Sequence, residues 1–174
     1  MKAVVGLLLL FVAEAAFAVS GATVTSVGME GGKIHVTILN RSGHQIVAWM
    51  IRLKERLDNG SETSIPTYGE DYWPEGKGSG TTFEAEISDN LEEPKIEAIE
   101  AAEVIFAVYS DQTVQIKDGE EAKFKDWSQA QQQHAASLVA HARDLEAKGD
   151  TSGGKQIREQ AKWKMSMANA RRIP

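Results

Sequence analysis

The chain of 174 residues carries a formal net charge of -6, and 42% of its residues are hydrophobic. That length accommodates one domain with an appendage around a single core. The complete absence of cysteine excludes disulfide staples and thiol nucleophiles, so packing alone must hold the protein together.

The charge is unevenly placed. From Asp58 to Glu121 there are 17 acidic residues against Lys77, Lys95 and Lys117, whereas Lys155 to Arg172 holds six basic residues against Glu159 alone. An acidic body repels phosphate backbones, so no nucleic-acid partner is expected. The basic tail has two uses open to it: folding back on its own acidic domain, or a weak contact with an anionic surface.

Met1-Lys2 gives a short cationic start, Ala3 to Ala13 is almost wholly apolar, and Ala16-Phe17-Ala18 has the small-x-small form read by a signal peptidase. The apolar run is short for a membrane span and Glu14 closes it, so a signal peptide over 1–18, cleaved after Ala18, is predicted, with no transmembrane span left. Export without cysteine points to a periplasmic or secreted bacterial protein.

From Thr23 to Ile116 the apolar residues mostly alternate, the signature of strands with one buried face. Val24 and Val27 mark a first strand; Ile34, Val36 and Ile38 mark a second, closed by Asn40-Arg41-Ser42-Gly43. In the third, Val47, Trp49 and Ile51 are expected on one face, and Ala48, Met50 and Arg52 on the other. Asn40-Arg41-Ser42 and Asn59-Gly60-Ser61 have the form of glycan acceptors but read better as turns. Pro66 to Gly80 is a long loop or a short strand within loops. Phe83, Ala85 and Ile87 alternate with Glu84 and Glu86 in the next strand. Ile96 to Glu103 fits either a strand or a turn or two of helix, and Val104 to Tyr109 is apolar throughout, as a central strand should be. Trp49 and Phe106 are both expected in the core of a sandwich spanning 19–125.

After Lys125 the period becomes helical. Asp126 as N-cap, Gln129 three residues later and Gly149 as stop predict an amphipathic helix over 126–149, with Trp127, Leu138 and Leu145 on one face. Asp150 to Gly154 reads as a flexible break. The basic tail over 150–174 reads as a weaker helix or flexible segment, mobile and dispensable for folding.

The order of signals resembles bacterial secreted sandwich domains of the FxLYD-like kind. Asn40-Arg41-Ser42-Gly43, a strand centred on Ala48-Trp49, Asp58-Asn59-Gly60, and Pro74-Glu75-Gly76 before Phe83-Glu84 carry the likeness. Ala102 to Phe106 followed by Ser110-Asp111-Gln112-Thr113 is similar to a "VVFADGT" element of uncharacterised exported bacterial proteins ending in a helical tail, with Gln112 where that element has Gly. The resemblance implies an exported, mainly β protein: an immunoglobulin-like β-sandwich followed by one long and one weaker C-terminal α-helix. It supplies no catalytic residues.

Chemistry is sparse. His134 and His141 lie about 10 Å apart along a helix, too far to share one zinc, and read as half-buried cover at a core edge; His35 and His44 read as surface or edge residues. Glu84 and Glu86 read as a solvated strand face. Tyr68, Glu70, Asp71, Tyr72, Trp73 and Glu75 set aromatic rings beside carboxylates in a Gly-rich loop, a composition suited to stacking a sugar or holding a cation. No G-x-S-x-G frame and no phosphate-cradling glycine loop occurs. The expected function is therefore a non-enzymatic binding or scaffolding module without cofactor or metal, whose partner is another envelope or secreted protein. A carbohydrate- or cation-binding module using loop 68–80 is the alternative, and a small hydrolase the third.

Overall fold

A computed structural model describes residues 21–30, 33–68, 82–88 and 95–173. The predicted signal peptide over 1–18 and the candidate ligand-binding residues Glu70, Asp71, Tyr72, Trp73 and Glu75 lie outside the described residues. Seven strands come first: β1 (Ala22–Glu30), β2 (Lys33–Asn40), β3 (Ile46–Leu57), β4 (Glu62–Tyr68), β5 (Thr82–Ser88), β6 (Ile96–Tyr109) and β7 (Thr113–Ile116). Two helices, α1 (Glu121–Ala147) and α2 (Thr151–Ala168), and a short β8 (Arg171–Arg172) follow. The protein is mainly β with two C-terminal helices.

The strands form two sheets, ordered β1-β2-β5 and β4-β3-β6-β7-β8. Every pairing is antiparallel except β7 with β8. One core lies between the sheets, where Ile34, Val36 and Ile38 of β2 meet Trp49, Ile51 and Leu53 of β3 and Ala107 and Tyr109 of β6. The register sets Ile87, Ala85 and Phe83 of β5 opposite Ile34, Val36 and Ile38. A second core lies on the other face of the five-stranded sheet, where Met50, Phe106, Val108 and Val114 meet Trp127 and Met167 from the helices.

This second core explains why Val104 to Tyr109 lacks alternation: both faces of β6 are covered there. It also corrects two expectations. Phe106 is fully buried, but under the helices, where its ring lies 5.4 Å from that of Phe124 and 5.2 Å from that of Trp127. Trp49 alone of the pair is in the inter-sheet core. Val47 joins Ala48 and Met50 rather than Trp49. A register shift between Ile46 and Ala48 inserts one residue into the ladder, and alternation breaks at that bulge. Of the two readings open for Ile96 to Glu103, the strand is found.

Three turns between consecutive strands repeat one device. Asn40 Oδ1 accepts from the Ser42 N–H at 3.0 Å and hydroxyl at 2.7 Å; Asn59 with Ser61 (2.9 and 2.6 Å) and Asp111 with Thr113 (3.1 and 2.7 Å) do the same. Each side chain mimics a backbone turn, so Asn40 and Asn59 serve as turn residues, as their sequence context suggested. In the third turn Gln112 sits at φ 64°, left-handed backbone that costs a residue with a Cβ ~1–2 kcal/mol. Gln112→Gly is therefore expected to raise stability by ~0.5–1 kcal/mol, net of the extra chain entropy of glycine, in chemical denaturation. A lower midpoint would show that the Gln112 side chain holds the turn.

Helix α1 starts at Glu121, five residues ahead of the expected Asp126 cap, and Glu120 at its N-cap makes no side-chain capping bond. The Glu120 carboxylate accepts instead from Arg52 of β3 at 2.6 Å. What fixes this first turn is the docking of Phe124 and Trp127 on Phe106. Gly149 does end the helix, at φ 91°. The segment after it is no flexible break: the Asp150 N–H donates to Leu145 O, and Asp150 Oδ1 caps α2 by accepting from the Gly153 N–H at 2.8 Å. Gly154 is buried, and a Cβ there would come within 2.5 Å of Glu146 Cγ and 3.0 Å of the Ala142 carbonyl oxygen. The tight turn and the missing side chain let α2 return along α1.

The basic tail is not a mobile appendage. Met167, Ala168, Ala161 and Lys164 of α2 are buried, and Trp163, Met167 and Ala170 join the second core. Beyond it, β8 pairs with β7, and Ile173 packs against the inter-sheet core.

Candidate functional site

Helices α1 and α2 pack side by side, but only one end of this hairpin meets a sheet. Contacts to the second core come from Phe124 and Trp127 near the start of α1, and from Trp163, Met167 and Ala170 at the end of α2. Ser128 Oγ seals this base by donating to the Ala168 carbonyl at 2.7 Å, in a fully buried hydrogen bond. Farther out, the buried positions are Ala135, Ala142, Gly154 and Ala161, small residues at which the two helices touch each other. Among the described residues, the outer part of the hairpin is an arm.

Two helices cannot enclose an apolar seam from both sides. On one side of this arm a groove of about 360 Å³ opens between Ala135, Ala136 and Val139 of α1 and Ala161 and Met165 of α2. Arg158 and Lys162 line the α2 wall. Arg158 is pinned by a two-pronged bond to Glu146, at 2.6 and 2.8 Å, whereas Lys162 pairs with Glu159 at 2.7 Å on the helix surface, with 71% of its side chain exposed. Met165 is 40% exposed, one of the few large apolar side chains so displayed. On the other side of the seam, Leu138, Leu145 and Ile157 are half-buried.

Among the described residues, four acids of that stretch, Glu62, Glu97, Glu100 and Glu103, are paired within their own sheet. Arg52, Lys54 and Arg56 alternate along β3 opposite Glu103, Glu100 and Glu97 of β6, with Arg52–Glu103 at 3.0 Å, Lys54–Glu100 at 2.8 Å and Arg56–Glu97 at 3.1 Å. Lys54 also reaches Glu62 of β4 at 2.9 Å, and Lys117 pairs with Glu103. The Lys117 ammonium, helped by Arg52, holds the Glu103 carboxyl below its ordinary range. Among the described residues, Arg172 of the tail meets acids of the expected stretch, Asp118 and Glu121, each at 2.8 Å. Apolar packing, not charge, therefore does most of the docking.

At one end of the sheets, His44 Nε2 lies 3.3 Å from Asp111 Oδ2, linking two turns. Nearby, Gln115 Oε1 accepts from the Ala22 N–H at 2.7 Å and from the Tyr109 hydroxyl at 2.8 Å. Burial pushes the Tyr109 hydroxyl up to about 12, so it stays protonated and ties β1 to β6 and β7. Among the described residues no group of three or more His, Cys, Asp or Glu is placed to hold a metal ion.

Comparison of the chain with family models, with curated proteins and with solved structures finds no match. The site must be read from its own geometry.

Of the loop residues singled out by composition, only Tyr68 falls among the described residues, as the last residue of β4 with its backbone opposite Met50. His134 and His141 are exposed on α1 rather than half-buried at a core edge. Glu84 and Glu86 stand opposite Thr37 and His35 in the β2–β5 register. His35 lies on β2, the central strand of its sheet, and not at an edge. Two features escaped the sequence reading. Glu55 is buried on β3, 2% exposed, in phase with Leu53 and Leu57, a position the period of two would have flagged. The groove was harder to find, because its floor is alanine and only the pairing of α1 with α2 makes it concave.

Proposed function

We propose that this protein is an exported, non-enzymatic binding or scaffolding module of the bacterial envelope or secretome, built as an immunoglobulin-like sandwich that carries a helical arm. The strand orders support the fold assignment. β1-β2-β5 facing β4-β3-β6-β7 is the connectivity of a seven-strand immunoglobulin-type sandwich whose fourth strand has joined the second sheet. The sequence of the first eighteen residues supports export, and no helix among the described residues is long and apolar enough to cross a membrane.

The arm carries the functional reading. An enzyme invests its structure in converging polar groups, whereas this chain holds out two helices with an apolar seam that nothing else in the described residues covers. A surface of that kind is a docking element. The full mature chain, cross-linked through its lysines in its native envelope or culture fraction, is expected to join another protein through Lys155 or Lys162 on α2. Cross-links confined to the sheets would remove the arm from the reading, and turnover of a hydrolase substrate by the pure protein would overturn it altogether. Intact-mass measurement of the exported protein is expected to place its first residue at Val19, and retention of residues 1–18 would make the leader an anchor.

A further inference from the structure

The groove also constrains its occupant. We infer that the arm takes an amphipathic helix with acidic flanks, presented by a partner protein, as a third helix between α1 and α2. This inference rests on the reading of the arm as a docking element and adds the chemistry of the partner.

Shape comes first. The floor is set by Ala135, Ala136 and Ala161, whose single methyl groups leave room for larger side chains to enter, and Val139 and Met165 bound it. A trough of about 360 Å³ between two packed helices matches a few aliphatic side chains at i, i+3, i+4 spacing, the recognition mode of a helix in a groove. An extended strand would bring unpaired backbone groups that no sheet edge here could satisfy.

Charge comes second. The α1 wall belongs to Ser128 to Arg143, a stretch without a single carboxylate, and the α2 wall carries Arg158 and Lys162. Among the described residues, Lys162 is held by Glu159 on an exposed helix surface, a pair weak enough to exchange for a carboxylate of the partner. A second copy of this arm would bring the same Arg158 and Lys162 to the groove and no added carboxylate from its α1 wall, which disfavours self-association through the groove. Carboxylates flanking the apolar stripe of the incoming helix would meet Lys162 instead.

The probe is a synthetic amphipathic peptide of about 18 residues, long enough to form helix, with leucine at i, i+3, i+4 and i+7 and glutamate on both flanks. Its counterpart has lysine in place of every glutamate. Fluorescence anisotropy with the full mature chain is expected to show the acidic peptide binding, weaker at high salt, and the lysine peptide binding at least ~10-fold more weakly. Met165→Glu and Lys162→Glu, both at exposed positions, are expected to weaken acidic-peptide binding ~10-fold or more while leaving the melting temperature within ~2 °C. No binding at ~1 mM peptide, equal binding of the two peptides, or unchanged binding by both variants overturns the inference. So does a dimer in sedimentation that Met165→Glu disrupts, or attachment to phosphatidylglycerol vesicles, lost in Met165→Glu, without peptide binding. The broader reading fails separately: it survives any of these results if the native-source cross-links still join the chain to a partner through another surface of the arm.

Discussion

Ending the chain after Asp150 is expected to abolish cooperative unfolding. The deletion takes away Met167, buried at 3% exposure, together with Trp163 and Ala170, all contacts of the second core, and Ala168, whose carbonyl accepts from Ser128. It leaves Phe106, Val108 and Val114 roofed by the first turns of α1 alone. Each large apolar side chain lost from such a site is worth ~1.5–3 kcal/mol, and a domain has only ~5–15 kcal/mol in total. α1 would lose its partner as well, exposing Ala135 and Ala142, and an unsupported helix is marginal in water. Thermal unfolding followed by circular dichroism should show a broad, low-temperature change in place of a sharp transition. A truncated chain melting within ~3 °C of the intact one would mean that the two sheets are self-sufficient and the helices an accessory.

Truncating either aromatic anchor should cost nearly as much as any single substitution can. Trp49→Ala opens a hole between the sheets, and Phe106→Ala opens one beneath the helices, each with an expected loss of ~3–5 kcal/mol in denaturant titration. The two are distinguishable by where the damage appears. Phe106→Ala removes the ring that touches Phe124 and Trp127, so amide exchange should accelerate in α1 and α2. Trp49→Ala should accelerate exchange in β2 while leaving the hairpin protected. A loss below ~1 kcal/mol for either would place that ring outside its core.

The strands were legible because alternation is a local signal: Ile34, Val36 and Ile38 announce a buried face without reference to anything else. Turns were legible for a similar reason, since an Asx side chain two residues before Ser or Thr closes on its own backbone. Where the reading failed, the deciding partner was distant in sequence. Nothing local tells that the second face of β6 lies under a helix, so the sequence alone places Phe106 between the sheets. Asp126 satisfies every local rule for a cap, yet Phe124 packs on Phe106 and draws the helix start to Glu121. Lys155 to Arg172 reads as a solvated basic tail because Ile157, Ala161, Met165 and Ala168 make only a narrow apolar stripe, two of its members alanine. Opposite Ala135 and Ala142 of α1, small is what lets the two helices close.

The pairing of Arg171–Arg172 with β7 has one more consequence, for aggregation rather than stability. Thr113–Ile116 would otherwise end its sheet with a row of open N–H and C=O groups, the template on which foreign strands add. Two residues are enough to occupy it: the Arg171 N–H donates to Gln112 O at 2.9 Å and the Ile173 N–H to Val114 O at 2.9 Å. Both side chains of the strip are exposed arginines, and charged side chains on a short edge strand are what blunt it against further pairing. This rim of the sheet is thus covered by a segment too short and too charged to recruit another chain, a guard that would matter most at high protein concentration.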